Sequence, residues 1–575
     1  MLSLPLGPEL VALQSSEVAG RFAAQRVRKV EACDAWLALF FSRDRVLFFS
    51  WDAEWYGLCS ATPDEVRELA LVAGYRPPIL DALKSHLVGA EILRAHAPSC
   101  DRAMWVTFRR PVGAGVHHAR TLVLEASGRY SNAVLLDEDG CVIEAAKHIH
   151  PDVNRYRSIL PGLPYAPPPA LEGVSPDGFD PSSPDAASRL DRLVGLGKPL
   201  LSALKTCDSK CLEGVAFFRT HEGDVVYQAL GNYVTAYPTP LPGVRALECR
   251  SALDAARGVV ALPLIRRHAE RLRKKISSAL ARAASVNEKK IGEYERVARD
   301  EGAAERLMET GKLILANAWA IPPRAAEAEL AEWTESGEVR LLVELDPAKG
   351  AAENAERYFA KYKKKRAAAD RARKILPKLL LERDEIAEQA ALLDCHRDVA
   401  TLSAMASEMD GAKKCERRPQ NTQQRTRQKT QKKSAESLPP HGRMELGDLG
   451  EPGELDASIF WGLSAKGNHY VTFRLARPDD LWLHAKDVPG AHVVLRFDRM
   501  PDEAAYDRAV EVAASCAAYY SKAGRGGPVR VDFTERRYVR PIPGGGGAHV
   551  TYREFSTITA DPALWRQIHD AGRES

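Results

Sequence analysis

The chain has 575 residues, 45% of them apolar, with 81 Lys and Arg against 77 Asp and Glu. Such a length predicts roughly three to five domains rather than one core, and the ordinary apolar share excludes wholesale disorder. The net charge of +4 is unremarkable, so a polyanion-binding surface has to come from where the charges sit.

The opening MLSLPLGPELVALQSSEVAG lacks the basic and apolar regions of a secretory signal. No run of about 18 apolar residues predicts a membrane span. The ten cysteines stand singly apart from Cys207 and Cys211, a pattern that suits reduced thiols in a cytoplasm.

Residues 1–165 alternate short apolar stretches with turn residues. VLFFSWDAEWYGLC, MWVTFRR, RTLVLEAS and NAVLLDEDGCVIEA read as strands, with DEDG as a hairpin turn. One helix is expected among them, over about Thr62–Ala90. YAPPPALEGVSPDGFDPSSPD, Tyr165 to Asp185, has the composition of a linker. LVGLGKPLLSAL follows, with two short helical patterns joined across Gly195–Gly197. These fit a helix-hairpin-helix unit, which can offer backbone amides to a phosphate, or a plain helical subdomain. A further mixed stretch runs to about residue 262.

Residues 263–315 and 352–408 are long, charged and almost free of Gly and Pro. Leu272, Ile276, Leu280, Ile291 and Tyr294 recur near helical spacing, as do Ile386 and Leu393. Two helices folding back as an antiparallel coiled-coil hairpin fit this pattern, with a small element at about 316–350 as its tip. From 411 to 455 apolar periodicity is lost, and nine Lys or Arg face one Glu between Lys413 and Lys433. That composition predicts a disordered basic linker. The last domain, about 456–563, reads as α/β, with strands around YVTFRLA, AHVVLRF, VRVDFTE and HVTYREF and a helix at about Asp502–Lys522.

The chemistry-bearing patterns point to binding. Residues 264–300 hold eleven Lys or Arg and five acids, and Arg357–Lys378 holds ten Lys or Arg with one Asp. On a helix Arg357, Lys361, Lys364 and Lys365 share a face, with Tyr358 and Tyr362 one turn apart as stacking platforms. The imbalance is too large for self-paired salt bridges and suits phosphate tracking. In DLWLHAKDVPGAHVV, residues Trp482, His484, Lys486 and His492 surround a Pro489–Gly490 turn. A strand–turn–strand exposing them to a phosphate or base is expected; a core Trp with incidental His is the plainer alternative. His484 and His492 lack a third ligand, and Cys207-x3-Cys211 lacks a second pair, so no metal or cofactor is expected. No P-loop, nucleophile elbow or Rossmann glycine fingerprint occurs, so no catalytic constellation is assigned.

These segments, in this order, resemble the NFACT family, whose members act in ribosome-associated quality control. DLWLHAKDVPGAHVV and GAHVTYREFSTITADP resemble its C-terminal NFACT-R domain. LILANAWAIP, LDP and NAERYFAKYKKKR resemble the region around the tip of its coiled coil. SHLVGAEI, Asp101–Arg102, EASGRYSNAVLLDEDG and NRYRSILPGLPYAPPP resemble its NFACT-N domain.

The resemblance implies a multidomain α+β chain. NFACT-N, similar in fold to formamidopyrimidine-type glycosylases, would occupy 1–180 and continue through 186–262. The arm would occupy 263–410 and an NFACT-R RNA-binding domain 456–563. It implies binding, as a monomer, to a large ribosomal subunit through rRNA, and recruitment of tRNA, alanyl-tRNA in bacteria. The ribosome would then add a C-terminal tail without mRNA, and the factor, not itself an enzyme, would work by positioning.

The tRNA contacts carried over are Asp101 and Arg102, with Arg129 and Asn132 of the following motif. Arginine can take a phosphate or base edge bidentately while aspartate fixes it. The chain departs from the family at its start. Met1-Leu2-Ser3 offers no amine-bearing proline for glycosylase chemistry, and LPLGPEL replaces an early phenylalanine–aspartate pair, leaving Glu9 as its nearest acidic counterpart. Two other classes compete: a surface adhesin for a host matrix protein such as fibronectin, and a DNA-binding or repair protein.

Overall fold

The computed structural model describes residues 7–574 except 73, 99–100, 114–115, 170–171, 182, 184, 207–225, 232, 238–239, 242, 250, 335–336, 417–437, 450–455 and 543–548. Cys207, Cys211 and most of the expected basic linker therefore lie outside the described residues. The chain divides into two compact units, Met1–Arg271 and Leu272–Ser575.

In the first unit, helix Pro8–Arg21 precedes an antiparallel four-stranded meander of β1 (Lys29–Cys33), β2 (Trp36–Phe40), β3 (Val46–Trp51) and β4 (Tyr56–Ala61). Alternation along β2 and β3 splits the side chains between two cores. Leu37, Leu39, Leu47 and Phe49 join the core under the next sheet. Trp36, Ala38, Val46 and Phe48 pack with Ala252, Val260 and Leu264. Because both faces are covered, these strands read as continuous apolar runs. The second sheet runs in sequential order through β5 (Glu91–His96), β6 (Ala103–Gly113), β7 (Val116–Glu125), β8 (Asn132–Leu136) and β9 (Val142–Ala145).

The single helix expected at Thr62–Ala90 is two, Pro63–Leu71 and Ile79–Leu87. The first starts on a Thr62–Glu65 capping box, and Pro77 and Pro78 force the break between them. The two helical patterns flanking Gly195–Gly197 are one turn at Ala186–Arg189, continued by a tight turn to Arg192, and Lys198–Leu204. The Gly197 amide at the start of Lys198–Leu204 donates to the Glu9 carboxylate at 3.1 Å. A small sheet of β10 (Val226–Leu230), β11 (Tyr233–Tyr237) and β12 (Arg245–Leu247) follows, ordered β11-β10-β12.

The second unit contains long helices. Ala261–Arg299 crosses into it from the first, then come Glu301–Ala316, a hairpin of β13 (Glu327–Thr334) and β14 (Gly337–Glu344), and the 45-residue helix Ala351–Cys395. Arg273 donates to Leu393 O at 3.0 Å and His396 O at 2.7 Å, while Lys365 pairs with Asp300 at 2.7 Å. Ascending positions on one helix thus meet descending positions on the other, and the pairing is antiparallel. Helix Val399–Glu416 leads out.

The final domain is a six-stranded sheet of β15 (His441–Glu445), β16 (Ala457–Gly462), β17 (Leu481–Ala485), β18 (Val493–Phe497), β19 (Val529–Glu535) and β22 (Ser556–Ala560), ordered β15-β16-β18-β17-β19-β22. A short pair, β20 (Val539–Pro541) and β21 (Val550–Tyr552), stands beside it. Three expectations are corrected here. His441–Glu445, placed in the linker, is a paired edge strand. YVTFRLA, read as a strand from its β-branched and aromatic residues, is helical: Ser464 caps Ala465–Tyr470, which continues through a π-helical turn at Val471–Leu475. Burial of Val471 and packing of Phe473 and Leu475 in one core outweigh local β preference. The domain also runs past residue 563, because helix Pro562–Glu574 buries Trp565 edge-on to Trp461, centroids 5.1 Å apart.

Candidate nucleic-acid interface

In the first unit Asp101 and Arg102 stand just before β6. Asp101 Oδ1 accepts from the Arg102 amide at 2.6 Å, and the Arg102 carbonyl accepts from Ala126 N at 2.8 Å. The pair is therefore anchored by backbone bonds to the end of β7, which leaves its side chains half-buried. Burial raises the Tyr56 phenol, and the nearby Arg102 charge opposes that shift. The tight turn Gly128–Tyr130 lies on the same Tyr56 ring: a Cβ at Gly128, whose φ is +63°, would sit 3.7 Å from it. Next in that turn, the Arg129 guanidinium covers the Tyr130 ring at 4.7 Å, and Tyr130 is 66% exposed. Arg102 and the turn that carries Arg129 thus meet at Tyr56.

Asn132 does not join them. It is buried, donating to Lys147 O at 2.9 Å and accepting from Lys147 N at 2.9 Å and Ala133 N at 3.0 Å. One of its two donors and both acceptor positions are spent on backbone groups, so its expected contact with tRNA is replaced by a structural one. Glu9 is buried too. Its carboxylate takes the Tyr233 hydroxyl, Thr235 Oγ1 at 2.9 Å and Gly197 N, and burial pushes its pKa up to about 7, opposed by those bonds and by the Arg102 charge.

On the long helix of the second unit, Lys361, Lys364 and Lys365 line one cavity of about 450 Å³ together with Arg306 and Thr310 of Glu301–Ala316. Arg306 carried no signal in the sequence because the partner helix is remote along the chain. Arg357 departs from the expected stripe, reaching Asp346 at 3.8 Å. Tyr358 is no stacking platform. Its ring is buried with Ala355 and Leu330, and its hydroxyl donates to Glu344 O at 2.8 Å.

The motif around Pro489–Gly490 is where expectation and structure part most. β17 is interior to the sheet, so Trp482 is fully buried, with His492 edge-on at 5.1 Å and Tyr552 at 5.0 Å. Burial drives the His484 pKa down to about 4, against the pull of Asp532, and takes His492 well below the usual range. Both imidazoles are neutral near pH 7 and cannot serve as cations for a phosphate. His492 Nδ1 instead meets the Thr472 hydroxyl at 2.8 Å. Lys486 keeps some exposure, but it bonds Asp532 at 3.3 Å and lies 5.0 Å from the Phe555 ring centre. Sequence reasoning missed the clamp beneath the turn. Asn468 donates to Gly490 O at 3.1 Å and to the buried Glu388 of the long helix, and accepts from His492 N at 3.0 Å.

The family model of the NFACT N-terminal and middle domains matches residues 21–206 and 262–430. The chain belongs to the NFACT family. This NFACT protein is 27% identical over 547 residues to the Rqc2 homolog RqcH of Bacillus subtilis (strain 168), covering 88% of this chain and 90% of that one. It is 28% identical over 506 residues to the Rqc2 homolog RqcH of Streptococcus suis (strain 05ZYH33), covering 84% of each. A solved structure of the C-terminal part of a fibronectin/fibrinogen-binding protein from Streptococcus suis aligns over 51% of this chain and 94% of its own, at 24% identity and a TM-score of 0.34. Among the described residues no helix is long and apolar enough to cross a membrane, and no group of His, Cys, Asp and Glu could hold a metal.

Proposed function

We propose that this NFACT protein is a cytoplasmic ribosome quality control factor. It binds a large ribosomal subunit that carries peptidyl-tRNA and recruits alanyl-tRNA, so that the ribosome adds alanine to the stalled chain. The similarity to proteins named Rqc2 homolog RqcH over 84–88% of this chain carries the reading. The meeting of Arg102 and the Gly128–Tyr130 turn at Tyr56 supports assigning tRNA contact to the first unit. In this reading the first unit is the NFACT-N region, the antiparallel helices are a coiled-coil arm, and the final sheet is an NFACT-R domain. The arm meets rRNA through Lys361, Lys364, Lys365 and Arg306 around their common cavity. Peptide bonds form in the ribosome, and the protein contributes position.

The test uses cells that depend on this protein for alanine tails. The full chain should co-sediment with large subunits, and its RNA cross-links should include tRNA. Asp101→Ala with Arg102→Ala should abolish the tails while leaving subunit binding within about two-fold, because the arm and final domain are untouched. Tails that persist in this variant would remove the role given to the pair. Loss of all ribosome binding by the parent chain would remove the function itself.

A further inference from the structure

A second cavity, about 540 Å³, opens in the first unit and is lined by Asp34, Trp51, Asp52, Tyr75, Lys147 and His148. That volume is within the range of small-ligand pockets. Two of its walls are fixed in advance. Asp34 has left-handed backbone at φ +46°; its amide donates to Tyr75 O at 2.7 Å, and its Oδ1 accepts from Gly74 N at 3.1 Å and Tyr75 N at 2.8 Å. This reciprocal clamp holds Tyr75 with 57% of its surface exposed. Lys147 is held by Asn132 through its backbone, and its ammonium donates to Trp51 O at 3.0 Å and Arg129 O at 3.3 Å. An ammonium has three donors, so one remains. Asp52 is neutralised by Arg267, whose Nη1 meets Oδ1 at 3.0 Å, whereas the Asp34 carboxylate is anchored by the Gly74 and Tyr75 amides and lies in the field of His268.

The wall therefore offers an exposed aromatic face, one free donor and a carboxylate anchored through one of its oxygens. The Asp34 carboxylate disfavours a bare phosphate. A stacked duplex base cannot enter such a slot, but an unstacked one can lie on tyrosine and offer its edge. Guanine presents acceptors at O6 and N7 for an ammonium and an amino donor for a carboxylate. The cavity is also next to the tRNA cluster: Lys147 bonds the carbonyl of Arg129, whose turn rests on Tyr56 beside Arg102.

We propose that this cavity seats one unstacked guanine of a single-stranded RNA loop, stacked on Tyr75 and read by Lys147 and Asp34; the proposal rests on the tRNA-binding reading above. The experiment uses the full chain, unfractionated tRNA, and synthetic RNA stem-loops whose loop nucleotides are replaced one at a time by an abasic residue. One guanine position should weaken binding about ten-fold when removed, a size typical of a single base stacked on an aromatic ring. Tyr75→Ala should lower affinity for the intact loop by the same factor and then be indifferent to that abasic position. Because the Tyr75 ring is largely exposed, this variant should keep the parent thermal midpoint. Lys147→Met should relax the preference for guanine, and if it fails to fold, Tyr75→Ala alone decides. Parent-like binding by Tyr75→Ala with weakened binding by Arg102→Ala would overturn the cavity proposal and leave the tRNA reading standing. No binding of tRNA by the parent above a duplex control would overturn both.

Discussion

Asn132 and Lys147 are joined by a pair of hydrogen bonds, the asparagine amide donating to the lysine carbonyl and its oxygen accepting from the lysine N–H, both at 2.9 Å. The link crosses from β8 to the segment after β9 and fixes the residue whose ammonium lines the first unit's cavity. Asn132→Ala would strand the Ala133 and Lys147 amides without an acceptor in the interior. Each such loss costs about 1–3 kcal/mol, so a destabilisation of about 2–4 kcal/mol is expected in urea unfolding of the full chain. Unchanged stability combined with lost RNA binding would restore Asn132 as a contact residue.

Glu9 should make the first unit less stable as pH rises. Its folded pKa, about 7, lies above the ordinary 4.5, so the folded state holds its proton more tightly than the unfolded chain. The contribution is whole below about pH 4.5 and declines until about pH 7, where the folded carboxyl ionises too. The span corresponds to roughly 3 kcal/mol. Glu9→Gln keeps an acceptor for Thr235 but no longer titrates. Melting curves across pH 5–8 should slope downward for the parent and run nearly flat for the variant; parallel slopes would refute the assignment.

The final domain should depend on Trp482 as a core residue. Trp482→Ala should cost about 3–5 kcal/mol, as expected for removing a buried indole. Trp482→Phe should preserve most of the fold and leave ribosome binding near the parent level. A large drop in affinity with normal stability for Trp482→Phe would return the ring to an RNA-facing role.

The arm cavity gives a salt-dependent prediction. If Lys361 and Lys364 neutralise phosphates, the double alanine variant should lower the slope of log affinity against log salt by about 1.5–2. Lys365 is held by Asp300 at 2.7 Å and should contribute less. An unchanged slope would place the RNA elsewhere.

What was legible in the sequence was local. Short apolar stretches between turn residues located β3, β4 and β6–β9, the charged periodic stretches located the long helices, and the order of several long motifs identified the family. These are properties of neighbouring residues, and periodicity encodes them directly. The role proposed for Asp101–Arg102 came from resemblance, since an acid next to a base is uninformative by itself.

Tertiary structure decided which of those residues can touch anything. Trp482 and His492 looked available around Pro489–Gly490, yet sheet order puts β17 between β18 and β19, and burial takes both side chains from solvent. Tyr358 and Asn132 were likewise claimed by packing and backbone bonds, while Tyr56, Arg306 and Lys147 gained neighbours remote along the chain. Linear patterning determines which segments form and which face of each is apolar. Exposure, charge state and convergence depend on long-range pairing, and only the folded chain settles them.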